Sequence, residues 1–537
     1  MFECTRVVLS QKTDVGIQAR EAMRRSVALV LFVVALTGCN RWTKASITPE
    51  ELRAHVEYLA SDKLQGRETG FSGIRLAEEY IAEEFSNYGL IPVPGQDDHF
   101  IELTLYRHTY NLEMTRIVFT RGEWVREGKL GRDFRPFWFS ETGEANAPVV
   151  FAGYGISAAE HKWDDYEGLD VEGKFVLVQR HEPKNDDPIS PFGGTEYSSH
   201  AYFVTKAQNA FSHGAVGMIL FTDPLFPMIG ADDLRLTGTL SLNTERRSRR
   251  STNTIPNPSV HISRDLAAEL IQPSGRSLEE LQRSVDAGSK PSEIDLGFLE
   301  AFVSVGPFEE PHEVPARNVV GLMIGRVPEL ADEWIVIGGH HDHLGAIPVS
   351  GGDTVYNGAD DNASGTAGVL ELAERFALRW RPTRRSLLFM TFSGEEMGLL
   401  GSRALFEKEL LPTGRIVFMI NLDMIGRNPD QAVRIFGTGF GLDLREIVKA
   451  VGERHDLPYR FAGIGTIPLN SDYGPFFDAH IPYLSFFTGE HEDYHQLTDH
   501  ADRLDYERMT ELLEMVTEII EDLDAREVLS PQPLEER

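Results

Sequence analysis

The chain has 537 residues, and at roughly 150 residues per domain that corresponds to three or four domain equivalents, or fewer if one catalytic domain is large. Hydrophobic residues make up 41% and charged residues 25%, ordinary globular usage that excludes both a disordered polymer and a multi-span membrane protein. The 83 acidic side chains outnumber the 52 Lys and Arg for a net charge of −31, a field that repels phosphate backbones and anionic surfaces, so nucleic acid is not an expected partner.

The first feature along the chain is an unbroken apolar run, Val27 to Leu36, behind Arg24 and Arg25. It is shorter than the ~20 residues that span a bilayer and has the length of a signal-peptide core. The run ends in Leu36-Thr37-Gly38-Cys39, which resembles the bacterial lipoprotein signal. That resemblance implies cleavage before Cys39 and an exported protein held at the membrane by its lipid anchor alone. Residues 1–39 are therefore expected to be signal, and Met23 is a better start than Met1 because Asp14 and Glu21 sit badly in a basic leader. With Cys4 removed, the mature chain would hold no disulfide.

From Thr48 to Leu90, apolar residues recur at three- and four-residue spacing (Leu52, Val56, Leu59; Leu76, Tyr80, Ile81, Phe85), which predicts two amphipathic helices. Between Ala147 and Ile262 the texture changes to short apolar runs separated by Gly, Pro and Asp turns, which predicts a β-rich insert over 141–290. From Arg317 onward, strand-like runs (Asn318 to Ile324, Trp334 to Gly338, Leu387 to Phe392, Ile416 to Leu422, Tyr483 to Phe487) alternate with helical stretches such as Thr366 to Arg379. This is the pattern of an α/β fold with a mainly parallel sheet flanked by helices. The main domain is thus expected to be assembled from 46–140 and 300–527, with 528–537 as a tail.

In open α/β sheets, ligands bind beyond the carboxyl ends of the strands. The runs there are followed by His340-His341-Asp342-His343, by Gly358-Ala359-Asp360-Asp361-Asn362-Ala363-Ser364-Gly365 after a Gly-rich turn, by Gly394-Glu395-Glu396, by Asn421-Leu422-Asp423 and by Asp493-Tyr494-His495. Five strand ends would each deliver a His or a carboxylate to one edge of one sheet. Imidazole and carboxylate suit borderline and hard divalent metals, and the absence of mature thiols removes a Cys-type structural zinc site. Converging carboxylates without a cation would repel one another, so a metal centre is the economical reading.

These motifs, in this order, resemble the dizinc aminopeptidases of clan MH, a group that includes secreted bacterial leucyl aminopeptidases and the glutamate carboxypeptidases. The resemblance covers most of the mature chain, and the insert looks like the protease-associated domain that many members carry. It implies two Zn2+ per chain, with His340 and Asp423 on one, Glu396 and His495 on the other, and Asp361 bridging. It further implies Glu395 as general base, Asp342 as the carboxylate that orients His340, and Tyr494 as a donor to the oxyanion, with the Asp361-Asn362 peptide cis. His341, His343, Asp360 and His491 are read as non-ligands that serve hydrogen bonding or packing. The implied partners are peptides or proteins with a free N-terminus.

A literal H-E-x-x-H, His491-Glu492-Asp493-Tyr494-His495, competes for the metal, with Glu518 as a conceivable third ligand. That motif needs a helix to bring both histidines onto one face, and here it follows a strand closely, next to Gly489, so it reads as a loop. No G-x-S-x-G elbow and no mature cysteine supplies another nucleophile. A carboxypeptidase of the same group, a glutaminyl-cyclase-like acyltransferase and a non-catalytic receptor on the same fold stay open. Side-chain preference and oligomeric state are not legible.

Overall fold

The computed structural model describes residues 46–529 except 185–189, 193–197, 226–233, 237, 245–257, 348–353, 380, 440–442 and 463–470. The signal and anchor expected at 1–39 lie outside the described residues. Among the described residues no helix is long and apolar enough to cross a membrane.

Two large sheets organise the chain. In the nine-stranded sheet the order is 239–241, 100–108, 312–323, 386–392, 334–340, 416–422, 483–487, 433–436, 459–461. Its centre is parallel: Trp334–His340 pairs in parallel with Ser386–Phe392 and with Ile416–Leu422, which pairs in parallel with Tyr483–Phe487. Its flanks are mixed, because His312–Met323 runs antiparallel to both its neighbours and Val433–Phe436 antiparallel to Tyr483–Phe487. The central strands Trp334–His340 and Ser386–Phe392 are buried at every position, as strands covered by helices on both faces must be. Gly365–Ala377 packs on Trp334–His340, and Tyr506–Ala525 joins Pro49–Leu59 in the helical layer.

Both helices expected before residue 90 form. Pro49–Leu59 starts behind Thr48, whose hydroxyl accepts from the Glu51 amide, and Ser72–Tyr88 stops at Gly89 in the left-handed region. Each carries its own start or stop signal.

The insert is wider than the apolar texture suggested. Its eight-stranded sheet has the order 124–127, 116–121, 300–305, 143–151, 175–179, 217–221, 259–262, 134–136. Strands Arg116–Arg121 and Trp124–Glu127, expected in the first part of the main domain, and Glu300–Val305, expected in its second part, belong to the insert. Glu300–Val305 lies between Arg116–Arg121 and Gly143–Phe151, antiparallel to both. Ile117, Phe119, Ala301 and Val303 close the same apolar core as Phe175 and Ile219. Conversely, Thr239–Ser241 leaves the insert and pairs with Tyr106–His108 of the main sheet.

Candidate metal centre

His340 ends the strand Trp334–His340, Glu395 and Glu396 follow Ser386–Phe392, and Asp423 follows Ile416–Leu422. His495 comes from the loop after Tyr483–Phe487. Because these four strands are parallel, their carboxyl ends share one edge, and the side chains meet there. Asp361 arrives differently from the expected fifth strand end: it sits in the wide turn Ala359–Ser364 that opens the helix Gly365–Ala377. The Asp361-Asn362 peptide is cis, as expected. Gly358, entering this turn at φ 57°, leaves no room for a side chain, since a Cβ would lie 2.2 Å from the Asp361 carbonyl oxygen and 2.4 Å from the His343 ring.

Two groups of donors share Asp361. His340 Nε2 lies 3.3 Å from Asp361 Oδ1, 3.5 Å from Asp423 Oδ1 and 3.9 Å from Glu395 Oε2. On the other side, His495 Nε2 lies 3.0 Å from Asp361 Oδ2 and 3.2 Å from Glu396 Oε2. The two oxygens of Asp361 thus point to different histidines, the arrangement of a bridging carboxylate.

The residues fit two divalent ions on observations of their own. His495 Nε2 is buried and makes no well-directed hydrogen bond despite its position between two carboxylate oxygens, as a nitrogen aimed at a metal would. Asp342, Asp360, Asp361, Asp472 and Asp499 are all buried around the centre. Arg67 is the fully buried guanidinium that acts on this cluster, through Asp361, Asp499, Asp342 and Glu396. One such cation does not balance that many carboxylates in a low-dielectric setting. Against the cost of burial and the charge of Asp361, His495 and His343 hold Glu396 down at about 2. Burial pulls His495 the other way, yet Glu396 and Asp361 lift it to about 10. Against the cost of burial, Glu395, Asp361 and Asp423 likewise lift His340 well above its usual range, so His340 and His495 both hold a proton where a metal ion could replace it.

Around the donors stands a layer of hydrogen bonds. His340 Nδ1 donates to the carbonyl oxygen of Asp342 at 3.2 Å, whereas the carboxylate of Asp342, expected to hold this ring, stands at 3.7 Å. That carboxylate instead accepts from the Glu395 amide at 3.1 Å and from Thr69 Oγ1 at 3.2 Å, so it fixes the backbone that carries Glu395. The expected orienting role is corrected in this respect: the close partner of the ring is the main chain of Asp342, because the side chain turns toward the Glu395 loop. Ser471 Oγ donates to Asp423 Oδ2 at 2.7 Å. Asp499 accepts from the amides of Asp360 and Asp361 and thereby holds the turn that carries the bridging carboxylate. Arg67 donates to the carbonyls of Leu59, His341, Asn357 and Gly358, tying the first helix to both metal-site loops.

The histidines read as non-ligands have polar neighbours of their own. His343 Nδ1 donates to Glu396 Oε1 at 2.7 Å, His341 Nδ1 meets Thr391 Oγ1 at 2.9 Å, and His491 Nε2 faces Asp360 Oδ2 at 3.2 Å. Residues 491–495 form turns, not a helix, and the two histidines of the H-E-x-x-H face different carboxylates. Arg67, Thr69, Ser471, Asp472 and Asp499 were not anticipated. Each acts singly through partners far away in sequence, so no local signal marks it.

Residues 318–520 match the sequence profile of Peptidase family M28, a stretch that contains every metal-site residue expected from the sequence. Those residues are thus similar to a peptidase family M28 domain. Residues 145–270 match the PA domain, within the structurally wider insert. A protein of Pyrenophora tritici-repentis described as a probable zinc metalloprotease is 40% identical over 98 residues, 18% of this chain and 22% of its own length. The aminopeptidase YwaD of Bacillus subtilis is 29% identical over 219 residues, 38% of this chain and 43% of its own length. The chain therefore spans less than half the length of these curated relatives. Among solved structures, the aminopeptidase of Aneurinibacillus sp. strain AM-1 superposes with a TM-score of 0.56 at 21% identity, covering 92% of this chain and 98% of that one. An M28 peptidase precursor of Shewanella amazonensis gives 0.55 at 14% identity, covering 94% and 99%. These likenesses carry the fold, a mixed α/β sheet with helices and a PA insert.

The main domain does not close the candidate site alone. A cavity of about 530 Å³ is bounded on one side by Glu396, His495 and Tyr494 and on the other by Trp138, Tyr202 and Phe203 of the insert. Tyr494 stacks on His495 with centroids 3.9 Å apart. Burial, followed by the charges of Asp361 and Glu490, pushes its phenol well above the ordinary range, so it remains a proton donor.

Proposed function

We propose that the protein is a zinc exopeptidase, an aminopeptidase that removes N-terminal residues from peptides or proteins. The observation that carries this reading is the position of Glu395. Its Oε2 lies 3.9 Å from His340 Nε2, within the cluster it forms with His340 and Asp423, and we assign it as the base rather than as one of the five donors His340, Asp361, Glu396, Asp423 and His495. Bound by these residues, two zinc ions supply Lewis acidity and a water of lowered pKa. Glu395 would serve as the general base, taking a proton from the attacking water and passing it to the leaving amine. In the metal-free chain, burial, then Glu396, Asp423 and Asp472, push its carboxyl well above the usual carboxylate range against the opposing pull of His340. Asp342 keeps Glu395 in place through the backbone, and Tyr494 is set to donate to the developing oxyanion. The insert walls the cleft on the opposite side with Trp138, Tyr202 and Phe203.

An assay of the fragment beginning at Asn40 against free and N-acetylated versions of one peptide set, with zinc and with chelator, tests the reading. Zinc-dependent loss of N-terminal residues from the free peptides alone is the expected result. Release from the carboxyl end would move the protein to carboxypeptidase activity, and no release from folded, zinc-loaded protein would leave a receptor or an acyltransferase. We also propose export and lipid anchoring at Cys39, supported by the apolar run and the Leu36-Thr37-Gly38-Cys39 sequence. Metabolic incorporation of labelled fatty acid, abolished by Cys39→Ala, is the outcome that anchoring requires.

A further inference from the structure

The PA insert holds a second convergence of metal-type donors, remote from Asp361. Glu160 and His161 lie on the short 3-10 turn Ala159–His161, and His200 lies on another, Ser199–Ala201. His200 Nε2 is 2.9 Å from Glu160 Oε1. The His161 and His200 rings stand 5.9 Å apart at 84°, and one donor atom from each of the three side chains falls within 4.8 Å of the other two. Two imidazoles around a tetrahedral zinc, with Zn–N of about 2.0–2.1 Å, place their centroids about 5–6 Å apart. The crossed orientation also keeps the rings from stacking, so both can turn a nitrogen to one point.

We propose that Glu160, His161 and His200 form a third divalent-metal site, of zinc or cobalt type, separate from the dinuclear centre. Two imidazoles select borderline transition metals over calcium and magnesium. With three protein ligands and an exposed Glu160, the site binds more weakly than the enclosed dinuclear centre. It also has a structural reach. The turn bearing His200 is anchored on its other side by Glu182, whose carboxylate accepts from the Ser198 amide and hydroxyl. His200 is followed directly by Ala201, Tyr202 and Phe203, which line the cleft facing Glu396 and His495. An ion on Glu160 and His161 would therefore fix that wall from outside. The inference does not depend on the peptidase reading, since it is read from metal counts and not from turnover.

The test is calorimetric titration of metal-stripped full-length protein with Zn2+, and with Co2+ followed by its visible absorption. Wild type is expected to show a third, weaker equivalent. The double variant His161→Ala/His200→Ala should lose that step and keep the two tighter ones. Glu160→Gln, an exposed change that leaves the fold intact, should weaken the third step by about tenfold or more, the scale of losing support at a metal site. Two equivalents in wild type, or a third step unmoved by these substitutions, overturns the proposal.

Discussion

Replacing Glu395 by Gln isolates proton transfer from metal binding. The amide has nearly the shape of the carboxylate, the backbone of Glu395 remains held by Asp342 Oδ1 at 3.1 Å, and the donor set around Asp361 is untouched. What disappears is the carboxylate oxygen placed 3.9 Å from His340 Nε2. A positioned general base contributes about 10²–10⁴ in rate, or about 3–5 kcal/mol of barrier at 1.36 kcal/mol per tenfold. We expect kcat for a peptide substrate to fall by that factor, with KM changed by less than about twofold because uniform binding is preserved. Zinc content, measured by elemental analysis on the same sample, should stay at its wild-type value. Glu492→Gln serves as the internal control. Its side chain is 60% exposed, and the H-E-x-x-H that contains it is not helical, so near wild-type kcat is expected. Retention of more than about a tenth of kcat by zinc-loaded Glu395→Gln, or inactivity of Glu492→Gln, would refute the assignment of the base.

Asp499→Asn removes the charge that holds the amides of Asp360 and Asp361, and should weaken zinc binding about 10–100-fold in competition with a chelator. Tyr494→Phe keeps the ring stacked on His495 and loses only the hydroxyl; kcat should drop about tenfold or more at unchanged zinc content, and an unchanged kcat would assign Tyr494 to packing. Arg67→Met strands the four carbonyls of Leu59, His341, Asn357 and Gly358, and at about 1–3 kcal/mol per buried unsatisfied group the main domain should lose about 3 kcal/mol or more in denaturant unfolding. Burial raises Asp472 and Asp499 from 3.8 to about 7. Between those values the folded, metal-free chain holds protons that the unfolded chain has released, so this contribution is present below pH 3.8 and is lost as pH rises through 7. The melting temperature in chelator should accordingly fall from pH 5 to pH 8, less steeply in Asp472→Asn; an identical slope in the variant would contradict the assignment.

Most of the candidate donors were legible because they stand in short polar runs after an apolar strand, where period and composition change together. Parallel pairing then brings the strand ends to one edge without further information. Asp361 was found through its Gly-Ala-Asp-Asp-Asn run although it belongs to a helix-opening turn. The supporting layer left no such trace. Arg67 reaches His341 across 274 residues of sequence, and Asp499 reaches Asp361 across 138, so only the folded chain shows what they do. The insert's borders were missed for a related reason. Arg116–Arg121 and Glu300–Val305 alternate in burial like any half-buried antiparallel strand, and alternation does not reveal which sheet a strand joins. Asp342 was placed beside the correct histidine, but the choice between its carbonyl and its carboxylate is set by the Glu395 loop, fifty-three residues away.

The pairing of Thr239–Ser241 with Tyr106–His108 makes the insert poorly separable from the domain that hosts it. The nine-residue strand Phe100–His108 would otherwise end the sheet with a long row of free amides and carbonyls, a template for self-association. Three residues contributed by the insert cover one end of that row, at Tyr106–His108, and so shorten the border open to another chain. Excising the insert as a cassette would therefore uncover an adhesive margin as well as the active-site cleft. A truncated enzyme designed by domain boundaries alone should aggregate unless Phe100–His108 is also capped or charged.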